Sequence, residues 1–541
     1  MHQQTTDANG MSSKRLIWLS IVAATSLGLY LLLALRYPLG PSLDNPRASW
    51  SSMVEPTGLN ALWHLAIYLG LTLLYLTILR LLVPSEGENT TNPHLQIILI
   101  FATWLACSAV LMKAASAGES HDIFDYIFRG RMMVEYRANP LVDVPDELEY
   151  SIPYARYLAW HKNVDTYGPV WEASSAAVAV SVREVARWLG WWDDAYPVCP
   201  ISPESCRLLM VYIIGYRMLA ILLTALSGWL IFSMIRHSRP WLAPLAPATW
   251  LLSPMTLIAT ALGGHNDAVM LVLILLCWWL LQRQSPFLAL MALILAAHVK
   301  LTALIWLPAC IFWIMWRWGR KHALKIVLVS AVSGLVLSWL LYVPFGGWQV
   351  LPRMLQERSA FLANSLWRIM KSLLIEQWDW RIASAHQLSV GLSSLLFAAG
   401  ALLVPLWVFN FRPKRWRGTP IALEEMDLKL WRTLTAISML YLLVGSFWFQ
   451  HWYVLWAIAP AALLPEGQFS RSILPWLSFG ALSSNVAMDF LLNTVMKTSP
   501  PMLKYISVVV IIWGPLLLTV AVLAFAQRAG ARKSIVRALS Y

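Results

Sequence analysis

Charged residues are scarce in this sequence. Asp, Glu, Lys and Arg make up 13% of its 541 residues, while hydrophobic residues make up 58%, and the mean hydropathy is +0.59. Soluble domains carry about 25% charged residues, so this composition excludes a soluble globular protein. We therefore expect an all-α polytopic membrane protein whose residues 1–541 form a single integral membrane domain.

Cysteine is also scarce, with five residues in the chain and no pair at the spacing of a zinc site. The sequence lacks a Gly-rich phosphate loop and a basic low-complexity tail, so its net charge of +13 does not indicate a nucleic-acid partner. We expect no metal and no other cofactor. Cys199 and Cys206 share a short Pro-rich loop, and the sequence leaves open whether they form a disulfide.

Apolar runs predict about 14 membrane spans, cut at charges and at Pro or Gly clusters. The first run follows Lys14 and Arg15 without a cleavage site, which indicates an anchor rather than a removed signal peptide. The predicted spans lie near residues 16–36, 62–83, 95–115, 208–235, 241–262, 267–283, 286–299, 301–317, 325–344, 388–411, 430–448, 452–466, 472–490 and 504–527.

The short loops predict the orientation, because cytoplasmic loops carry an excess of Lys and Arg. The basic short loops all fall on the side of the N-terminus, and we expect that side to be cytoplasmic. The long loop 116–207 and a second loop, 345–387, then lie outside. The basic residues on the inner side are Lys14, Arg15, Arg236, Arg239, Arg317, Arg320, Lys321, Lys325, Arg412, Lys414, Arg415, Arg417, Arg528, Arg532, Lys533 and Arg537.

A polar stretch opens the first outer loop. If it is helical, Asp122, Asp125 and Arg129 fall at i, i+3 and i+7 and share one face with Tyr126. A carboxylate at a membrane boundary can act as a general base towards a substrate that arrives there. The alternative interpretation is a juxtamembrane helix whose acids only pair with its own arginines, Arg129 and Arg131.

Many Lys and Arg residues lie on the predicted outer side, which indicates an anionic ligand such as phosphate. Lys300 is the most telling of them, because apolar runs flank it on both sides and a buried lysine is costly unless it is paired. An anionic lipid headgroup would pair it. For any single cation, the alternative is a solvated loop charge.

Three further outer segments carry polar residues between apolar spans. His265, Asn266 and Asp267 begin a helix whose N-terminus favours phosphate, although Asn266 or Asp267 can also serve only as the cap. The segment Tyr167–Trp171 contains Tyr-Gly-Pro, a turn that presents an aromatic side chain suited to a sugar ring, although alone it is only a turn. Gln450 and His451 lie in an aromatic stretch that an ordinary interfacial belt would also explain.

In chain order these motifs read D-x-x-x-Y-x-x-x-G-R…N-P, Y-G-P-x-W, H-N-D-A, V-K-L-T and Q-H-W-Y-x-x-W. Their order and spacing over about residues 95–465 resemble the polyprenyl-phosphate-mannose-dependent mannosyltransferases of the GT-C superfamily. The likeness is to bacterial α-mannosyltransferases of lipoglycan assembly and, more distantly, to the first mannosyltransferase of GPI-anchor synthesis. Leu141 departs from the pattern, since an aromatic residue usually follows Asn139 and Pro140.

The resemblance implies a GT-C fold and an inverting, metal-independent transfer of a sugar, most simply mannose, from a polyprenyl-phosphate donor. The acceptor would be a lipid or a glycan, and the active site would lie on the outer side of a bacterial inner membrane, among membrane lipids. Asp122 matches the position of the family's general base. Because Asp125 lies three residues further on, the sequence leaves open which of the two aspartates is the base. We predict phosphate binding by Lys300, Arg129, Arg131 and His265, and substrate binding by Tyr126, Asn139, Tyr167, Trp171, Asp267, Gln450, His451 and Tyr453.

Two other functions remain open. A flippase of lipid-linked sugars would have a similar number of spans, but it is expected to carry charges near the bilayer midplane and an internal repeat. A GT-C ligase or polymerase that uses a diphosphate-linked glycan donor would share the fold and differ only in substrate.

Overall fold

The computed structural model describes residues 5–44, 53–83, 93–115, 122–148, 157–190, 207–409 and 423–528. These residues form α-helices with short 3₁₀ and π segments and no β-strand, which confirms the all-α class. The α-helices are α1 (Thr5–Arg36), α2 (Leu39–Asp44), α3 (Gly58–Leu82), α4 (Pro93–Leu111), α5 (Asp122–Val134), α6 (Pro169–Trp188), α7 (Arg207–Ser238), α8 (Leu245–Leu251), α9 (Pro254–Leu257), α10 (Asp267–Gln282), α11 (Pro286–Ala297), α12 (Leu307–Tyr342), α13 (Leu351–Ala360), α14 (Leu366–Glu376), α15 (Ile382–Val408), α16 (Leu423–Leu440), α17 (Leu455–Ala461), α18 (Leu474–Ala487) and α19 (Pro501–Arg528).

Among the described residues, 8 helices are long and apolar enough to cross a membrane, or up to 9 if the bent pair formed by 240–251 and 254–262 is one span. The shorter apolar helices α10 and α11 lie outside this count. The prediction of about 14 spans is therefore not confirmed. The segment Leu301–Phe345 is one candidate of 45 residues, but a kink at Gly319, with φ of 75°, divides it beside the basic residues Arg320 and Lys321.

The helices α5 and α6 pack against α7 through small residues. A Cβ atom at Gly130 would lie 2.4 Å from the Tyr216 hydroxyl and 2.9 Å from the carbonyl oxygen of Ser175. The Tyr216 hydroxyl donates to the Tyr126 carbonyl at 2.9 Å. Glycine at position 130 therefore permits the close approach that holds α5 in place.

The cysteines divide between described and undescribed segments. Cys107, Cys277 and Cys310 are buried and free, as small apolar side chains in helices. Cys199 and Cys206 lie outside the described residues, so their pairing stays a prediction.

Candidate active site

Asp122 is the first residue of α5, and its side chain is 14% exposed. Its Oδ2 lies 4.0 Å from Nδ1 of His265. The two residues are far apart in sequence, and the turn between α9 and α10 brings them together. Gly264 makes that turn in the left-handed conformation, with φ of 64°.

Asp125 lies one turn further along α5 and has different surroundings. Its carboxylate accepts hydrogen bonds from the backbone N–H groups of Trp160 at 3.2 Å and Ala159 at 3.4 Å. Burial raises the pKa of Asp125 to about 7, against the opposing charge of Arg129. Asp125 thus fastens the 157–165 segment to α5, whereas Asp122 faces His265.

The two arginines of α5 pair with carboxylates of this chain. Arg129 Nε lies 3.3 Å from Oδ2 of Asp165, and Arg131 forms an ion pair with Glu135. Both guanidinium groups are buried. The alternative interpretation of intramolecular pairing therefore fits them, although their partners are Asp165 and Glu135 rather than the two acids at the start of α5. We leave both arginines out of the phosphate site proposed below.

Lys300 is 5% exposed and forms a buried ion pair, with Nζ 2.9 Å from Oδ2 of Asp267. Trp456 Nε1 donates to the other oxygen of Asp267 at 2.6 Å. The ammonium group also lies 5.2 Å from the ring centroid of Tyr167 and 5.2 Å from that of Tyr453. Asp267 therefore holds Lys300, and the N-cap of α10 is Asn266, whose side chain makes no capping hydrogen bond.

The Tyr-Gly-Pro turn is bonded directly to the segment that carries Lys300. Gly168 N–H donates to the Val299 carbonyl at 3.1 Å, and Val170 N–H donates to the His298 carbonyl at 3.0 Å. A Cβ atom at position 168 would lie 2.1 Å from the His298 carbonyl oxygen, so this approach requires glycine. These bonds fix the ring of Tyr167 beside Lys300.

His265 stacks on Trp452, with ring centroids 3.8 Å apart. Burial, together with the nearby His451 and Lys300, lowers the pKa of His265 well below its usual value. The ring is therefore neutral at neutral pH and does not supply a charge for phosphate. Within the described part of the chain, neither of its ring nitrogens nor the amide of Asn266 has a hydrogen-bond partner. Polar atoms buried in this way favour a site that a polar substrate completes.

The remaining predicted residues divide between the site and its support. The Tyr126 ring packs edge-on against Trp171 at 4.6 Å and Tyr167 at 5.8 Å, so Tyr126 and Trp171 form a buried aromatic wall behind the turn. Asn139 donates to the Phe345 carbonyl at 2.8 Å and thereby joins the segment after α5 to the segment after α12.

The Gln450–Tyr453 segment reaches the site from the C-terminal half. His451 Nδ1 lies 2.5 Å from Nδ2 of Asn485, and its ring lies 6.0 Å from that of His265. The Gln450 carbonyl accepts a hydrogen bond from Tyr453 N–H at 3.1 Å. The structure therefore brings His451 and Tyr453 to the site and gives Gln450 a backbone role in the turn.

Arg358 is a site residue that the sequence analysis did not single out. Its Nη2 donates to the Tyr453 hydroxyl at 2.8 Å, on the ring that also faces Lys300. In the sequence it is one of many outer-side cations, and no spacing distinguishes it. The sequence weakly indicates Trp456, because it ends the Q-H-W-Y-x-x-W motif three residues after Tyr453. In the structure the two rings stack with their centroids 4.3 Å apart.

The assembled site has a carboxylate, that of Asp122, whose side chain is 14% exposed and lies beside a neutral imidazole. It also has two cations that contact one tyrosine, and aromatic surfaces. This set can accept a proton, stabilise an anionic leaving group and hold a sugar ring. Among the described residues, no group of three or more His, Cys, Asp or Glu side chains is placed to hold a metal ion.

Comparison with known proteins gives one family. The family model for the N-terminal domain of alpha-(1->6)-mannopyranosyltransferases matches residues 23–317, more than half of the chain. The match includes Asp122, Tyr167, His265 and Lys300, and it agrees with the resemblance to GT-C mannosyltransferases. No curated protein gives a significant match. The chain is thus an integral membrane glycosyltransferase that belongs to the alpha-(1->6)-mannopyranosyltransferase family.

Proposed function

We propose that this protein transfers mannose from a polyprenyl-phosphate donor to a lipid-linked or glycan acceptor, with inversion, on the outer face of a bacterial inner membrane. One observation supports this most directly. Residues between positions 122 and 453, from five separate polar motifs, converge so that the Asp122–His265 pair and the Lys300–Tyr453 group share one region. Such convergence is what a transfer between two substrates requires.

Asp122 is the general base in this proposal. It takes the proton of the acceptor hydroxyl while that oxygen forms a bond to the anomeric carbon. The bond from this carbon to the phosphate oxygen breaks on the opposite side, which inverts the configuration. Neutral His265, whose Nδ1 lies 4.0 Å from the carboxylate and makes no hydrogen bond among the described residues, is placed to hydrogen-bond the acceptor hydroxyl.

Lys300 and Arg358 stabilise the leaving lipid phosphate. Both cations contact Tyr453, Lys300 over its ring and Arg358 at its hydroxyl. Arginine and lysine are suited to phosphate oxygens. A lipid monophosphate that leaves with two cations beside it needs no divalent metal, so we propose transfer without metal or cofactor.

The test is an assay with purified protein and radiolabelled polyprenyl-phosphate mannose, compared with nucleotide-linked mannose and a diphosphate-linked glycan, over a panel of lipid acceptors. We expect transfer only from the monophosphate. Transfer from the diphosphate-linked donor would favour the ligase, and nucleotide-linked mannose as the sole donor would refute the lipid-donor proposal. Movement of lipid-linked sugar across vesicles without transfer would favour the flippase.

We expect Asp122→Asn to lower turnover by roughly 10²- to 10⁴-fold, because a general base contributes about that much. Donor binding should change little, since the side-chain volume is kept. Glu184→Gln is the matched control, as Glu184 lies in the same outer loop with its side chain 55% exposed. Full activity of Asp122→Asn would exclude Asp122 as the base.

A further inference from the structure

A second cationic cluster lies where α14, α15 and α19 meet. Arg368 and Lys371 are three residues apart on α14 and so share a face. His386 is in the second turn of α15, and Tyr505 is near the start of α19. We name Arg368, Lys371, His386 and Tyr505 the α14 cluster.

The contacts within the α14 cluster hold the cations in place without neutralising them. Arg368 Nη2 donates to the Tyr505 hydroxyl at 2.5 Å, and its guanidinium carbon lies 4.4 Å from the centre of the Tyr505 ring. Lys371 Nζ lies 3.4 Å from Nδ1 of His386. His386 Nε2 donates to the Ser359 carbonyl at 2.8 Å, and its Nδ1 faces the Lys371 ammonium group.

Neither cation has a carboxylate partner in the part of the chain that the structure describes. No ion pair within 4.0 Å involves Arg368 or Lys371 there, in contrast to Arg129, Arg131 and Lys300. Both side chains are half-buried. Burial and the charge of Arg368 lower the pKa of Lys371, as expected where two cations are close and no anion compensates them.

The cluster lies at the ends of candidate spans. The span Ile382–Val408 begins just before His386, and the span Pro501–Phe525 begins just before Tyr505. Trp378 and Trp380, in the turn between α14 and α15, are 61% and 41% exposed. Exposed tryptophans at span ends are typical of the headgroup region of a bilayer. In a bilayer that these spans cross, the phosphates at this level are those of lipid headgroups.

We propose that the α14 cluster binds the phosphodiester of an anionic bilayer lipid, at a site separate from that of the sugar donor. Arg368 and Lys371 contact the phosphate oxygens, and the Tyr505 hydroxyl keeps the guanidinium in position. Exposed Leu366 contacts the acyl region, and the tryptophans lie at the level of the headgroups.

The bound lipid would also brace the candidate active site. The residues directly before α14 bond to the segment that leads to Gln450. Phe449 N–H donates to the Ala363 carbonyl at 3.0 Å, and the Ser365 hydroxyl donates to the Phe447 carbonyl at 3.0 Å. A lipid that restrains α14 therefore restrains the approach to His451 and Tyr453.

The test titrates the purified full-length protein with phosphatidylglycerol, phosphatidylcholine or inorganic phosphate and counts bound molecules by native mass spectrometry. We expect preferential binding of phosphatidylglycerol. Each surface cation contributes about a fivefold change in affinity for an anionic lipid, so Arg368→Gln with Lys371→Gln should weaken it by at least about tenfold. The matched control, Arg381→Gln with Lys497→Gln, removes the same charge from exposed positions nearby and should leave binding unchanged.

Each other outcome contradicts the proposal. Equal binding of the two lipids, or equal weakening by the two double variants, would show a general charge effect. Displacement of phosphatidylglycerol by equimolar inorganic phosphate would show a site for free phosphate. If the double variant fails to fold, Lys371→Gln alone decides: we expect about fivefold weaker binding, with a smaller dependence on salt, and unchanged binding would refute the site.

Discussion

At the scale of single residues, the partner of each charged side chain decides its role. Asp122 and Asp125 lie one turn apart on α5, but one faces a histidine and the other accepts two backbone N–H groups. Lys300 and Arg129 both form buried ion pairs, yet only Lys300 also faces aromatic rings beside the candidate base. Charge alone does not distinguish the roles of these residues, whereas the surroundings of each side chain do.

Asp125 should make the stability of the protein depend on pH. Its folded carboxyl keeps a proton up to about pH 7, while the usual pKa is 3.8. Between these values the folded state binds more protons than the unfolded state, so stability falls as pH rises from about 4 to about 7. Asp125→Asn, which stays neutral, should reduce this slope in thermal unfolding of the detergent-solubilised protein. Burial also raises the pKa of Glu172, so this residue should maintain part of the pH dependence of stability in the variant. An unchanged slope would show that Asp125 is ionised in the folded state.

Lys300→Ala should destabilise the fold as well as donor binding. It leaves the carboxylate of Asp267 buried without its cation, a change that costs about 3–5 kcal/mol. The double variant Lys300→Ala with Asp267→Asn removes both charges and should recover most of the thermal stability. It should still need a much higher donor concentration, as measured by KM for the polyprenyl-phosphate sugar. Normal KM in the stable double variant would exclude Lys300 from phosphate binding.

At the scale of elements, the site depends on turns that bring separate helices together. The turn at Gly168 joins the start of α6 to the residues after α11 through two backbone hydrogen bonds. Gly264 turns the chain between α9 and α10 and places His265 against Trp452. Each turn contributes one side chain to the site, so a local displacement separates residues that must act together.

Gly168→Ala tests the first of these turns. Its new methyl group would lie 2.1 Å from a carbonyl oxygen of the backbone, which cannot move aside as a flexible side chain can. We expect the turn to leave the Lys300 segment and transfer to fall by about 10²-fold, since misplacement by about 1 Å costs that much. Gly391→Ala is the control, because a Cβ at that helical position meets nothing within 4 Å. Equal activity of the two variants would show that the turn tolerates displacement.

At the scale of the whole molecule, long apolar helices surround a polar region built from connecting segments. The helices α12, α15 and α19 are rich in exposed Leu and Val on the faces that point away from the rest of the protein, as expected of surfaces that contact lipid tails. The candidate site is built at the starts of α5, α6 and α10 and in the segment between α11 and α12. The proposed side of the membrane follows from the distribution of Lys and Arg alone.

Labelling of single cysteines would test that orientation. In a variant without the native cysteines, Glu184→Cys should react with a membrane-impermeant maleimide in intact spheroplasts. Lys321→Cys, an exposed position at the kink after Gly319, should react only after permeabilisation. The opposite pattern would place the site on the cytoplasmic side and exclude the proposed topology.

The sequence by itself determined the class of the protein and named most residues of the candidate site. Low charge and long apolar runs indicate helices, because only helices and closed barrels satisfy the backbone within a bilayer and barrel strands alternate apolar and polar residues. Lys300 was recognised because an unpaired lysine between apolar runs is costly. The motif order also indicated the mannosyltransferase family that the comparison shows.

Only the tertiary structure decided which of these residues face one another. The ion pair of Lys300 with Asp267, the bond of Arg358 to Tyr453 and the contact of Asp122 with His265 all join residues more than 30 positions apart. Periodicity along a helix reports only on neighbours three or four residues away, so it cannot show whether a cation is neutralised by a distant acid. For that reason the sequence did not show that Arg129 and Lys300 each pair with a distant acid, and only the packing of α5, α10 and the Tyr167 turn separates a structural ion pair from a candidate phosphate ligand.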